Sequence, residues 1–162
     1  MDLKVILQDV RKFETEALVV GCYEDVRPLK GLAGELDWLL CGSLSQLLMT
    51  NRISGSVGDA ALLTPRGKLP VQKLFMIGLG PGKAGSTDSV RAFARNAAES
   101  VLASGAGRMA LEYVPSSASG EEPHIQAIKA GLAEGGRGRR LDVTLLVQDA
   151  ATYEKISRLA KT

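Results

Sequence analysis

A chain of 162 residues is long enough for one domain with a substantial core, and 45% hydrophobic with 23% charged residues are globular values, not those of a disordered or membrane protein. Twenty basic against eighteen acidic residues leave a net charge of +2, too balanced to argue for nucleic acid, and the sequence pI of 8.6 agrees. No stretch is apolar over the roughly 18 residues that a membrane span needs, and the opening MDLKVILQDV reads as a strand rather than a signal peptide.

The first predicted strand is LKVIL (Leu3 to Leu7), followed by ALVVGCY (Ala17 to Tyr23). A helix is expected next, because Leu36, Leu39, Leu40, Leu44, Leu47 and Leu48 recur at three- and four-residue spacing. Two more strands, AALLT (Ala60 to Thr64) and KLFMIGLG (Lys73 to Gly80), are joined by the turn-rich PRGKLPVQ. Val90, Phe93, Ala94, Ala97, Val101 and Leu102 make a second helical stripe, with Arg91, Arg95 and Glu99 on its outer face. RMALEYV (Arg108 to Val114) is a fifth strand, and a helix carrying Ile125, Ile128 and Leu132 follows. LDVTLLVQ (Leu141 to Gln148) is the sixth strand, and a last helix from about Ala150 sets Tyr153, Ile156, Leu159 and Ala160 together. Near-continuous apolar strands alternating with amphipathic helices predict an α/β domain over residues 1–162: a mixed sheet of about six strands between two helical layers.

The glycine-rich bend after Phe75, in FMIGLGPGKAGSTDSVRAFAR, is the first candidate site. It fails the phosphate-loop template, since Ile77 stands where the first Gly belongs and Ala84 where the metal-binding hydroxyl belongs. It also fails the dinucleotide template, because Lys83 takes the place of the third glycine after Gly78 and Gly80. What survives is a weaker anion site. Gly78, Gly80, Gly82 and Gly85 let backbone N–H groups point inward, Lys83 adds charge, and Ser86 or Thr87 caps the next helix. If its strand neighbours that of Gly21, loops 22–35 and 81–86 meet, and Asp9 adds a contact for a base or ribose; a small anion is the ligand expected there.

Four motifs in order, FETEALVVGCYED, GLAGELDWLLCGSLSQLL, GSVGDAALLTPRGKLPVQKLFMIGLG and SVRAFARNAAESVLASG, carry a family resemblance. The chain resembles the amino-terminal domain of leucyl aminopeptidases of peptidase family M17 over most of residues 3–148. That resemblance implies a three-layer αβα fold similar to the macro domain. It also implies what is missing: the two-metal chemistry of these enzymes lies in a following domain, with an Asn-Thr-Asp-Ala-Glu-Gly-Arg stretch that nothing here matches. No catalytic residue, metal ligand or cofactor is carried over. The expected role is a non-catalytic binding or assembly module, free-standing, with self-association or an aminopeptidase-like partner. The alternatives are the leading piece of a complete metal-dependent aminopeptidase and a macro-like binder of ADP-ribose or a nucleotide. Of the macro-domain pattern, Gln8-Asp9-Val10 keeps the Asp, while Gly21-Cys22-Tyr23-Glu24 loses both asparagines. Lys30-Gly31-Leu32-Ala33-Gly34-Glu35 thinly echoes the first glycine loop, and 114–120 the second.

The remaining polar residues add little chemistry. His124 is the only histidine, so no imidazole pair exists for zinc or a triad, and it is expected to be exposed in the first turn of its helix. Glu24, Asp25, Glu35 and Asp37 read as solvated loop or helix-start residues. Cys22, at a strand end, is a better candidate for a reactive thiol than Cys41, although a small buried hydrophobe is the default for a free cysteine. Both would stay reduced in the cytoplasm, where the chain is expected to reside. Arg137, Arg139 and Arg140 form a short basic turn without aromatic partners, too little for nucleic acid.

Overall fold

The structure, a computed structural model, describes residues 3–82, 86–115 and 120–161. Its strands are β1 (Lys4–Leu7), β2 (Thr15–Tyr23), β3 (Ala60–Leu63), β4 (Val71–Gly80), β5 (Arg108–Glu112) and β6 (Asp142–Val147). Its helices are α1 (Gly31–Leu39), α2 (Ser43–Met49), α3 (Thr87–Ala103), α4 (Glu121–Gly136) and α5 (Ala150–Ala160). The strands form one sheet in the order β1-β6-β5-β2-β4-β3. All neighbours are parallel except β3, which runs antiparallel to β4 at the sheet edge.

The expected three layers follow from strands apolar on both sides. Leu18, Val20 and Cys22 of β2 face one way and pack with Leu32, Leu36 and Leu44 of the α1–α2 layer. Ala17 and Val19 face the other way and join Phe93, Ala97, Ile125 and Ile156 of α3, α4 and α5. Gly21 and Gly78 serve close approaches within this sandwich. A Cβ on Gly21 would lie 2.5 Å from the Leu79 side chain, and one on Gly78 only 2.0 Å from the Ser56 carbonyl oxygen.

The leucine stripe is two helices rather than one. Cys41 and Gly42 adopt φ of 56° and 82°, which breaks the helical path between α1 and α2. Asp37 then caps the second helix, accepting from the Ser45 N–H at 2.9 Å and from its hydroxyl. The break leaves Leu40 and Leu44 buried but Leu39 and Leu47 only half-buried. Leu44 is fully enclosed, and its truncation to Ala should cost about 2–5 kcal/mol.

On the opposite face α3 and α4 lie in close contact. Ideal Cβ atoms on Gly131 and Gly135 would come within 2.2 and 2.3 Å of the Arg91 and Arg95 carbonyl oxygens, so these glycines set the separation. Arg91 also pairs with Glu134 across the seam. In α5, Ile156 and Ala160 are buried, whereas Tyr153, expected on the same face, is 37% exposed. The helix ends beside the start of the chain, where the Leu3 N–H donates to the Ala160 carbonyl at 3.4 Å.

His124 is buried, not exposed as its place near the start of α4 suggested. Its ring packs edge-on to Tyr113, with centroids 5.4 Å apart, and Nε2 donates to the Val114 carbonyl. Tyr113 in turn donates its hydroxyl to Glu121. That arrangement leaves His124 Nδ1 buried without a partner among the described residues, and burial holds the imidazole below its ordinary pKa. Among the described residues no helix is long and apolar enough to cross a membrane.

Candidate functional site

The parallel strands all end on one edge of the sheet, and the chain leaves neighbouring β2 and β5 toward opposite faces. From β2 it passes into the α1–α2 layer; from β5 it passes into α4. Such a divergence opens a crevice at the carboxyl ends of the strands, where α/β folds collect ligands.

The register shows where the two strands part. β2 pairs with β5 from Ala17 to Val19 only, whereas it stays beside β4 as far as Tyr23. Glu112 closes the gap with its side chain. Its Oε1 accepts from the backbone N–H of Gly21 at 2.9 Å, and its Oε2 accepts from the N–H of Leu32 at 3.2 Å. One carboxylate therefore stands in for a strand neighbour and caps α1, whose own Lys30 provides no side-chain cap. The alternative is costly, since a buried unpaired N–H is worth about 1–3 kcal/mol.

Glu112 is buried, and among the described residues it forms no ion pair. Burial pushes its carboxyl up to about 7, against the pull of the two N–H groups. It borders a cavity of about 320 Å³. Buried Gly21, Cys22, Leu79 and Glu112 form the inner wall, Val26, Leu29 and Val114 the apolar sides, and exposed Lys30, Gly31 and Pro115 the rim. Burial also pushes the Cys22 thiol up to about 11, so it is protonated at neutral pH.

Asp9 belongs to a second cavity, of about 420 Å³, lined by Leu7, Gln8, Asp9, Val10, Glu35 and Gln148. It is held by Arg11, whose Nη2 donates to Oδ2 at 2.7 Å and whose backbone N–H donates to Oδ1 at 2.9 Å; this partner pulls Asp9 down to about 2. β6 and β5 lie between β1, which Asp9 follows, and β2, which carries Gly21, so the two strands are roughly 14 Å apart at ordinary strand spacing. Both cavities line the same edge, flanked by α1, but the structure does not bring these two residues together.

The glycine bend lies at the end of β4, next to β2 as its expected role required. Its N–H groups have acceptors within the protein: Gly78 donates to the Asp59 carbonyl at 2.8 Å and Gly80 to the Gly55 carbonyl at 2.9 Å. Gly82 donates to Asp25 Oδ1 at 2.7 Å. An anion at Gly82 would have to displace that carboxylate. Ser86 caps α3, its hydroxyl accepting from the Ser89 N–H at 3.2 Å. Lys83 and Gly85, named with these residues, lie outside the described residues.

Glu112 is the site residue that sequence reasoning passed over. Its signal was present, as an acid at the centre of the apolar run MALEYV. A charge in a strand buried on both faces needs partners, and only the fold shows that these are Gly21 and Leu32.

The profile of the cytosol aminopeptidase family, N-terminal domain, matches residues 19–136. A probable cytosol aminopeptidase of Geobacter sulfurreducens is 31% identical over 137 residues, 83% of this chain and 27% of that protein. The chain thus spans about a quarter of the length of the curated relatives it matches. Among solved structures, a tomato leucine aminopeptidase variant superposes with a TM-score of 0.66 at 19% identity, covering 97% of this chain and 35% of that one. A Trypanosoma brucei macrodomain, solved in complex with ADP, gives a TM-score of 0.73 at 14% identity, covering 96% of this chain and 67% of that one. At such identities the likeness is one of fold.

Proposed function

The chain belongs to the cytosol aminopeptidase family through its N-terminal domain, and from that premise we propose that it acts as a non-catalytic binding or assembly module. The observation that carries this reading is the state of the reactive groups at the strand ends. Cys22 is a protonated thiol, a poor nucleophile, and Glu112 is held by two backbone N–H groups whose loss would open the sheet edge. Around them stands a preformed, largely apolar cavity, which suits binding rather than bond breaking. Incubating the purified chain with a leucyl anilide and zinc or manganese should give background rates. Metal-dependent turnover that follows the protein through purification overturns the proposal.

A second reading makes this domain the leading portion of a metal-dependent aminopeptidase. It is supported by the relatives named cytosol aminopeptidases, of which the chain spans about a quarter. Their kinship also supports a cytoplasmic location. Mass spectrometry of the native protein in cell extract separates the readings by size. A nucleotide or ADP-ribose role rests on the macrodomain fold, but Glu112 already occupies the start of α1, where an anionic ligand would seek N–H groups. Titration with ADP-ribose, followed through the amide signals of Gly21 and Leu32, tests it.

A further inference from the structure

We propose, resting on the binding-module reading, that the cavity between β2 and β5 takes a small zwitterion with an apolar body, an apolar α-amino acid, with its ammonium on Glu112 and its carboxylate toward Lys30. Groups of opposite charge border this cavity. The inner wall carries the Glu112 carboxylate, which uses one acceptor position on each oxygen and keeps the others. Among the described residues no cation pairs with it. The rim carries Lys30, exposed and likewise in no ion pair among the described residues.

Space exists where the ammonium would sit. Beyond its chain neighbours and its own helix, and among the described residues, an ideal Cβ on Gly31 would meet only Glu112 Oε2 within 4 Å, at 3.4 Å, so there is open space beside that oxygen on this side. Val26, Leu29 and Val114 give the cavity apolar sides for the body of the ligand. A volume of about 320 Å³ lies at the small end of ligand sites, suited to one amino acid and short for a dinucleotide. The charge pattern also discriminates. An amine alone meets Lys30 at the rim with nothing to offset it, and a carboxylate alone meets Glu112 on the inner wall, so each half of the molecule binds worse than the whole.

The test uses the unmodified chain with three probes: L-phenylalanine, 2-phenylethylamine, which lacks the carboxylate, and 3-phenylpropanoate, which lacks the ammonium. Phenylalanine should shift the amide signals of Gly21, Gly31 and Val114, and both analogues should bind about tenfold more weakly. Lys30→Gln, at an exposed position, should weaken phenylalanine several-fold and leave 2-phenylethylamine no weaker. The proposal is overturned if 3-phenylpropanoate binds as well as phenylalanine, or if millimolar phenylalanine leaves these amides unmoved. In the second case, shifts of the same amides with ADP-ribose would keep the module reading and sink the zwitterion alone. Metal-dependent leucyl anilide turnover would sink the module reading whichever probe binds.

Discussion

Glu112 Oε1 accepts the backbone N–H of Gly21 at 2.9 Å, a bond across 91 residues of sequence made where β2 and β5 stop pairing. A sheet edge of this kind depends on a titratable group, and the dependence is measurable.

The Glu112 carboxyl titrates at about 7 in the fold against an ordinary 4.5. The folded state therefore holds the proton more tightly, so its stabilising contribution is complete below about 4.5 and is lost as pH rises toward 7, on the order of 3 kcal/mol in all. Glu112→Gln should remove that slope while lowering stability at acid pH, since its amide nitrogen cannot accept an N–H. His124, held below its ordinary 6.5, acts in the opposite direction, its contribution being lost as pH falls. The difference between parent and variant isolates the carboxyl. Urea melts of both proteins from pH 4.5 to 8 should converge, and parallel profiles would refute the assignment.

The α3–α4 seam predicts that Gly131→Ala and Gly135→Ala each destabilise the protein by about 1–3 kcal/mol, through methyl groups driven onto the Arg91 and Arg95 carbonyls. Helix propensity alone predicts the reverse, a gain of roughly 1 kcal/mol for Ala over Gly. The sign of the change in a denaturant melt decides which effect wins.

Anion binding at the glycine bend is tested by freeing Gly82. Asp25→Ala removes the carboxylate that accepts its N–H, so inorganic phosphate should bind several-fold more tightly than to the parent, shifting the Gly82 and Ser86 amides. No shift in either protein at millimolar phosphate would make the bend a connection only.

The thiols should react unequally. Cys41 is exposed and receives a hydrogen bond from Lys68 Nζ at 3.3 Å, whereas Cys22 is buried with its thiol raised to about 11. Iodoacetamide at pH 8 should label Cys41 first by a wide margin, as peptide mass spectrometry would show. Comparable rates would mean that the inner wall of the cavity opens.

The layers were legible in the sequence because they rest on local periodicity. Leu18, Val20 and Cys22 alternate with Ala17 and Val19, and the Val90–Leu102 stripe needs no distant partner to be read. The break after Leu40 was hidden because the leucine spacing continues through it, while Cys41 and Gly42 turn the backbone. His124 misled because its place at a helix start suggests exposure, and Tyr113 and Val114, which cover it, come from the strand before. The candidate site was half legible. Gly21 and the Lys30–Glu35 stretch, which forms the start of α1, were named from their patterns, whereas the residue that joins them lies on β5, and no spacing rule connects 21, 32 and 112.

The contact of Leu3 with Ala160 gives the molecule two poles. β1 runs away from this junction, and its far end opens on the cavity that holds Asp9. Any polypeptide joined after Thr162, a purification tag or a following domain of the kind the longer relatives have room for, is tethered near the pole opposite the cavities. The strand ends then remain unobstructed by their own tether, and an immobilised or fused form of the chain presents them outward.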